Sequence, residues 1–356
     1  MKTGLRARDI VAWLVLTSCL LALAEHALRD PRVYTRLPVP EPYYRPGVVP
    51  RGRSLDVLLT RVENVDVLFI GSSIVRTNVR PFRFDKLVSA KLDRPVVSFN
   101  GGLSALRPDP TRLYLERFWL DRARPKVVVQ GVRLGDMLST TPAESDPFLA
   151  QGRVEQHWMR GTVWSDAVGW LISEVRMLQY QGALQRLLDA IERRQPYAEL
   201  VVGGGFPVDK RGWERRTTPL AARKRSGKLK DYRPYDNELD RESLRGGLEA
   251  LGRAARSCRE RGVRYVVANV PEHAFHYGRP DGKLRYAHYL ESLRELAEEE
   301  GFLFVDVTDG DLSYGRRDSL FSDYGHMRPK GARWFTEELA RRLITLLRET
   351  LDAPAR

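Results

Sequence analysis

Asp323 and His326 stand three residues apart in Phe321-Ser322-Asp323-Tyr324-Gly325-His326-Met327-Arg328-Pro329-Lys330-Gly331. On one loop, that spacing lets the carboxylate meet the imidazole. It fixes the tautomer and stabilises the imidazolium while the other ring nitrogen works as a base. Such a base needs a hydroxyl to activate. Gly71-Ser72-Ser73-Ile74 offers one where an apolar run ends, and the first amides of a helix starting there favour developing negative charge. Asn100-Gly101-Gly102 closes a second apolar run. Glycine lets the backbone approach a substrate closely, and the Gly102 amide suits an oxyanion. Each segment alone has a plainer reading: a capping Asp with a surface His, a Gly-Ser-Ser turn, an Asn-Gly turn. His273 and His276 follow a further apolar run and are expected to line a cleft. As a metal pair they lack a third ligand, so neither a metal nor a cofactor is expected.

Something must carry these segments to one place. Apolar, β-branched runs at 65–71, 95–99, 126–130, 264–270 and 302–306 read as strands. Helical patterns occupy 81–92, 111–121, about 242–261, 286–300 and 330–351. Buried strands alternating with helices predict an α/β fold, a five-stranded parallel sheet covered on both faces. In such sheets ligands bind beyond the carboxyl ends of the strands, which is where each polar cluster falls. An insertion at about 140–240 separates the third strand from the fourth. It holds Trp158, Trp164 and Trp170 in helix-like sequence, and Gly203-Gly204-Gly205, which lacks the Lys-Ser/Thr of a phosphate loop. Residues 210–233 hold ten Lys/Arg against Glu214 and Asp231. That stretch reads either as a solvated loop or as a surface for anionic lipid or polymer.

In this order the three polar segments resemble the SGNH (GDSL-like) hydrolase family, over roughly 65–351 apart from the insertion. The resemblance implies a flavodoxin-like three-layer sandwich. It places Ser73 at the nucleophile, His326 as its base and Asp323 behind His326, with the amides of Ser73 and Gly102 as oxyanion donors. Ser72 stands where the family usually has Asp. The third block, Gly-x-Asn-Asp in the family, reads Gln130-Gly131-Val132-Arg133-Leu134-Gly135-Asp136 here. Arg133 falls at the offset of the oxyanion Asn, either replacing it or forming a salt bridge with Asp136. Losing one such donor costs about 10²–10³ in rate. Ser72, Asn100, His273 and His276 are the candidates for contacting substrate.

Composition sets the surroundings. The chain has 356 residues, 42% hydrophobic and 29% charged, which excludes general disorder. Two cysteines, Cys19 and Cys258, exclude a disulfide framework. A net charge of +13 points to an anionic partner, and nucleic acid is not expected, because no binding module surrounds the basic stretch. Residues 10–24 are free of charge and follow Lys2, Arg6 and Arg8. They read as an uncleaved signal anchor, residues 1–28 forming a cytoplasmic tail and transmembrane helix. Prolines at 31, 38, 40, 42, 46 and 50 make 29–54 a semi-rigid stalk. The domain at 55–351 is then expected outside the cytoplasmic membrane, followed by a short tail at 352–356. With that layout the sequence is similar to the accessory proteins of teichoic-acid D-alanylation and alginate O-acetylation. The resemblance implies ester chemistry on a cell-envelope glycopolymer beside a multi-pass membrane acyltransferase. The alternative is a catalytically weak, membrane-tethered binding or assembly subunit.

Overall fold

The computed structural model describes residues 7–29, 59, 62, 64–103, 106–138, 192, 209–227, 229, 241–278, 282–311 and 313–352. The stalk, the three insertion tryptophans and the Gly203–Gly205 triplet lie outside the described residues. The chain divides into two units, Met1–Thr60 with Gln151–Gly205, and Arg61–Ala150 with Phe206–Arg356.

In the first unit, α1 runs from Ala7 to Arg29. No helix among the described residues is long and apolar enough to cross a membrane. The transmembrane helix expected at the N-terminus is therefore not supported. The charge-free run of 15 residues rises only about 22 Å as a helix, against roughly 30 Å of bilayer hydrocarbon.

The second unit is an α/β domain. Its elements are β1 (Val67–Gly71), α2 (Ser73–Asn78), α3 (Pro81–Leu92), β2 (Ser98–Asn100), α4 (Pro108–Tyr114), β3 (Val127–Val132), α5 (Leu134–Met137), α6 (Leu220–Arg225), α7 (Arg241–Glu260), β4 (Arg264–Asn269), α8 (Gly282–Glu300), β5 (Leu303–Asp306) and α9 (Pro329–Asp352). The strands pair in parallel in the order β2-β1-β3-β4-β5, the flavodoxin-like arrangement. The expected five-stranded parallel sheet is thus observed. Alternation within each strand gives both faces an apolar surface. Val67, Phe69, Val127, Val129, Val266 and Ala268 share a core with Phe84 and Val88 of α3 and with Phe335, Leu339, Leu343 and Leu347 of α9. Strand order reverses between β2 and β3, around β1, and the crevice such a reversal opens lies at the carboxyl end of β1.

Gly71 ends β1 at φ +138°, a conformation that side chains rarely adopt. A Cβ there would lie 2.5 Å from the Gly131 carbonyl oxygen and 2.7 Å from Val75. Gly71 pairs with Gly131 in the sheet, and a Cβ on Gly131 would also collide with Val75. The two glycines together make the space into which α2 turns, and Ser73 is the first residue of that helix.

Candidate active site

Ser73, Asp323 and His326, separate in sequence, meet beyond the end of β1. The Ser73 Oγ lies 2.7 Å from His326 Nε2, and His326 Nδ1 lies 2.7 Å from Asp323 Oδ1. Burial alone would raise the Asp323 carboxyl. The charge of His326 and its hydrogen bond, with Arg216 and the Gly325 amide, outweigh that and hold it well below the ordinary carboxylate range. An ionised carboxylate only accepts, so Nδ1 carries the imidazole hydrogen and neutral Nε2 accepts the Ser73 hydroxyl proton. His326 itself is pushed down, first by burial, with Asp323 opposing and Arg216 and Arg133 adding to the fall. The imidazole is therefore neutral and able to act as a base near neutral pH.

Local chemistry shapes the loop that presents the pair. Asp323 Oδ1 also accepts from the amides of Gly325 at 3.1 Å and His326 at 2.9 Å. The Ser322 amide donates to the His326 carbonyl at 2.8 Å, and Phe321 bridges antiparallel to Met327. The result is a tight loop closed by its own Asp side chain, the local competition Asp offers the backbone. Asn78, fully buried at the end of α2, ties that loop to the serine helix. Its Oδ1 accepts the Met327 amide at 2.8 Å, and its Nδ2 donates to the Gly325 carbonyl at 3.4 Å.

The Gly102 amide donates to the Asn100 side chain at 3.0 Å, and a Cβ there would meet the Arg76 amide of α2. The amides of Gly101 and Leu103 bond Phe69 and Gly71. Of the two readings for Arg133, the salt bridge with Asp136 is observed. Its Nε meets Asp136 at 3.0 Å and its Nη1 meets Glu272 at 3.0 Å, while Nη1 lies where a Gly325 side chain would be. It braces β3 against the histidine loop. The Ser73 amide lies at the start of α2, where the helix itself supplies no acceptor.

The four candidates for touching substrate all make contacts within the protein. Ser72 is buried and donates to Asp136 at 2.8 Å. Asn100 is wholly buried and donates to the carbonyls of Val75 and Val79, each at 2.9 Å. His273 is buried; its Nδ1 accepts the Phe275 amide at 3.1 Å, which leaves the Nε2 hydrogen to donate to Asp318 at 2.8 Å. Burial pushes its pKa down. His276 is buried 3.8 Å from Glu272 and packs edge-on to Tyr324 of the histidine loop. No group of three metal-ligating side chains occurs among the described residues.

Part of the basic stretch folds inward. Arg216 reaches Asp323 Oδ2 at 3.1 Å, and Arg223 approaches it at 3.6 Å. Glu214 receives Arg216 at 3.2 Å and Arg76 of α2 at 2.7 Å, with both Glu214 and Arg76 nearly inaccessible. Trp213 and Leu220 are buried as well, while Arg215, Lys224 and Arg225 stay exposed.

No family model matches the chain, and no curated protein does. Among solved structures it is similar to a Bacteroides fragilis protein provisionally described as an acylhydrolase. That likeness has a TM-score of 0.41 and 10% identity over 82% of this chain and 93% of that one. It is also similar to a gut microbial enzyme that metabolises diltiazem, with a TM-score of 0.35 and 12% identity. There it covers 80% of this chain and 48% of that one, so it spans about half the length of that protein.

Proposed function

We propose that the chain is a serine-dependent acyl-ester hydrolase or O-acyltransferase of the SGNH type. The observation that carries the reading is the unbroken relay from Ser73 through His326 to Asp323 at the carboxyl end of β1. Ser73 Oγ attacks an ester carbonyl while its proton passes to His326 Nε2. The tetrahedral oxyanion is met by the Ser73 amide, collapse expels the alcohol with the proton from His326, and an acyl-serine remains. Water, or a sugar hydroxyl deprotonated by His326, then takes the acyl group. The substrate side of the proposal, an acylated cell-envelope glycopolymer served by a membrane acyltransferase, rests on the motif resemblance and on the +13 charge.

One observation favours a second reading, a binding or assembly subunit with weak catalysis. The Gly102 amide and two Arg133 nitrogens are already bonded within the protein, which leaves few donors for an oxyanion. Fluorophosphonate labelling of the full chain separates the two. Labelling of wild type that is lost in Ser73→Ala and His326→Ala supports the enzyme. A folded wild type that takes no label overturns a self-sufficient hydrolase and leaves the subunit.

A further inference from the structure

The segment between β3 and β4 arrives at the Asp323–His326 pair already fixed in place. The Arg211 carbonyl accepts the Asn100 amide at 2.9 Å, beside the end of β2. Trp213 Nε1 donates to the Thr77 carbonyl at 2.8 Å, and the Glu214 amide donates to the Arg76 carbonyl at 3.0 Å. Further on, the Leu220 amide donates to Phe321, two residues before Asp323. Between these anchors, the Arg216 guanidinium bridges two carboxylates, Glu214 through Nε and Asp323 through Nη1. Glu214 turns its other oxygen to Arg76, three residues after Ser73. The contacts form a closed ring: Ser73, His326, Asp323, Arg216, Glu214, and Arg76 on the serine's own helix.

From this ring we infer that Arg216 is a positioning residue for the Asp323–His326 pair, through which the inserted segment governs the basicity of His326. The inference rests on the serine reading above for its catalytic meaning. Arg216 occupies Asp323 Oδ2 and so leaves Oδ1 to the imidazole and the loop amides. Its charge also opposes protonation of His326. Removing it withdraws a cation from the imidazolium and frees the carboxylate's charge to act on the ring, and both effects raise the His326 pKa. The other charged groups facing the pair are Arg223 from α6 and Arg133 after β3. Arg133 is offset by Asp136 and Glu272, and Arg216 by Glu214. His276 stands beside Glu272.

The test is the titration of His326 followed by NMR in the full chain, with the pH profile of Ser73 labelling by a fluorophosphonate as the second readout. Arg216→Gln is expected to raise the His326 pKa by about one unit and to carry the acid limb of the labelling profile with it. Arg216→Lys restores at least half of the shift. Arg225→Gln, which removes an exposed charge from the same segment, leaves the titration where it was. Glu214→Gln, which unmasks Arg216, moves the pKa the opposite way and serves if Arg216→Gln does not fold. An unchanged titration in Arg216→Gln, or an equal shift in Arg225→Gln, overturns the inference. If the titration moves as stated while wild-type Ser73 takes no label, the Arg216 coupling stands and the serine reading fails.

Discussion

Asp323→Asn is the substitution whose outcome the geometry determines most closely. Oδ1 of Asp323 accepts three hydrogens, from His326 Nδ1 and the amides of Gly325 and His326, and Oδ2 faces Arg216. An amide keeps those three donors satisfied only with its oxygen at the Oδ1 position. Its NH₂ then confronts the Arg216 guanidinium, donor against donor. The imidazole keeps its tautomer and its link to Ser73 but loses the negative charge 2.7 Å from Nδ1. A pair of unit charges about 4 Å apart between charge centres is worth roughly 4 kcal/mol at an effective dielectric of 20. The imidazolium that forms as Ser73 attacks is destabilised by that order, so the rate falls by about 10³. The assay is the pseudo-first-order rate of fluorophosphonate labelling at pH 7–8, with near-ultraviolet circular dichroism to establish that the variant is folded. A folded Asp323→Asn protein that labels within about threefold of wild type would refute the electrostatic role given to Asp323.

Two further outcomes concern the framework. Burial raises the Asp85 carboxyl to about 7, against hydrogen bonds from Ser98 and the charge of Arg211. The folded protein therefore holds that proton more tightly than the unfolded chain, so its contribution to stability is complete below about pH 4 and is lost as pH rises towards 7. Asp85→Asn is expected to gain about 2–3 kcal/mol relative to wild type between pH 5 and pH 7, read as the difference in urea midpoints at the two pH values; parallel profiles would contradict it. Gly71→Ala drives a Cβ against the Gly131 carbonyl and Val75 at a positive φ. It should cost about 3 kcal/mol or more and slow labelling of Ser73, and a urea midpoint unchanged from wild type would show that the turn can relax.

The sheet was legible because each strand centres on a short, largely apolar, β-branched or aromatic run, as burial on both faces demands. Ser73, Asp323 and His326 were legible as a candidate set because a serine relay needs those residue types, and the fold brings the three together. What the sequence concealed was how polar groups are shared. Asn100 and Gly102 match an oxyanion block, yet the Asn side chain reaches the amide two residues on, as Asn does in turns, and takes the donor for itself. Arg133 stands at the offset of the family's oxyanion Asn; its neighbour Asp136 was legible from spacing, but Glu272, from the end of β4, was not. Charge counting over 210–233 treats every basic residue as solvated, whereas Arg216 and Arg223 turn to Asp323. The charge-free run in α1 was equally plain in the sequence, but no helix among the described residues is long and apolar enough to cross a membrane.

Ser73 and His326 are 253 positions apart in the chain, with Ser73 on the first helix after β1 and His326 just before the last. Synthesis proceeds from the N-terminus and folding follows domain by domain. On the proposed serine reading, Ser73 is made long before its base and stays an ordinary alcohol until the final amphipathic helix docks. Nascent or C-terminally clipped chains would then carry the nucleophile without its base and could not attack acyl esters.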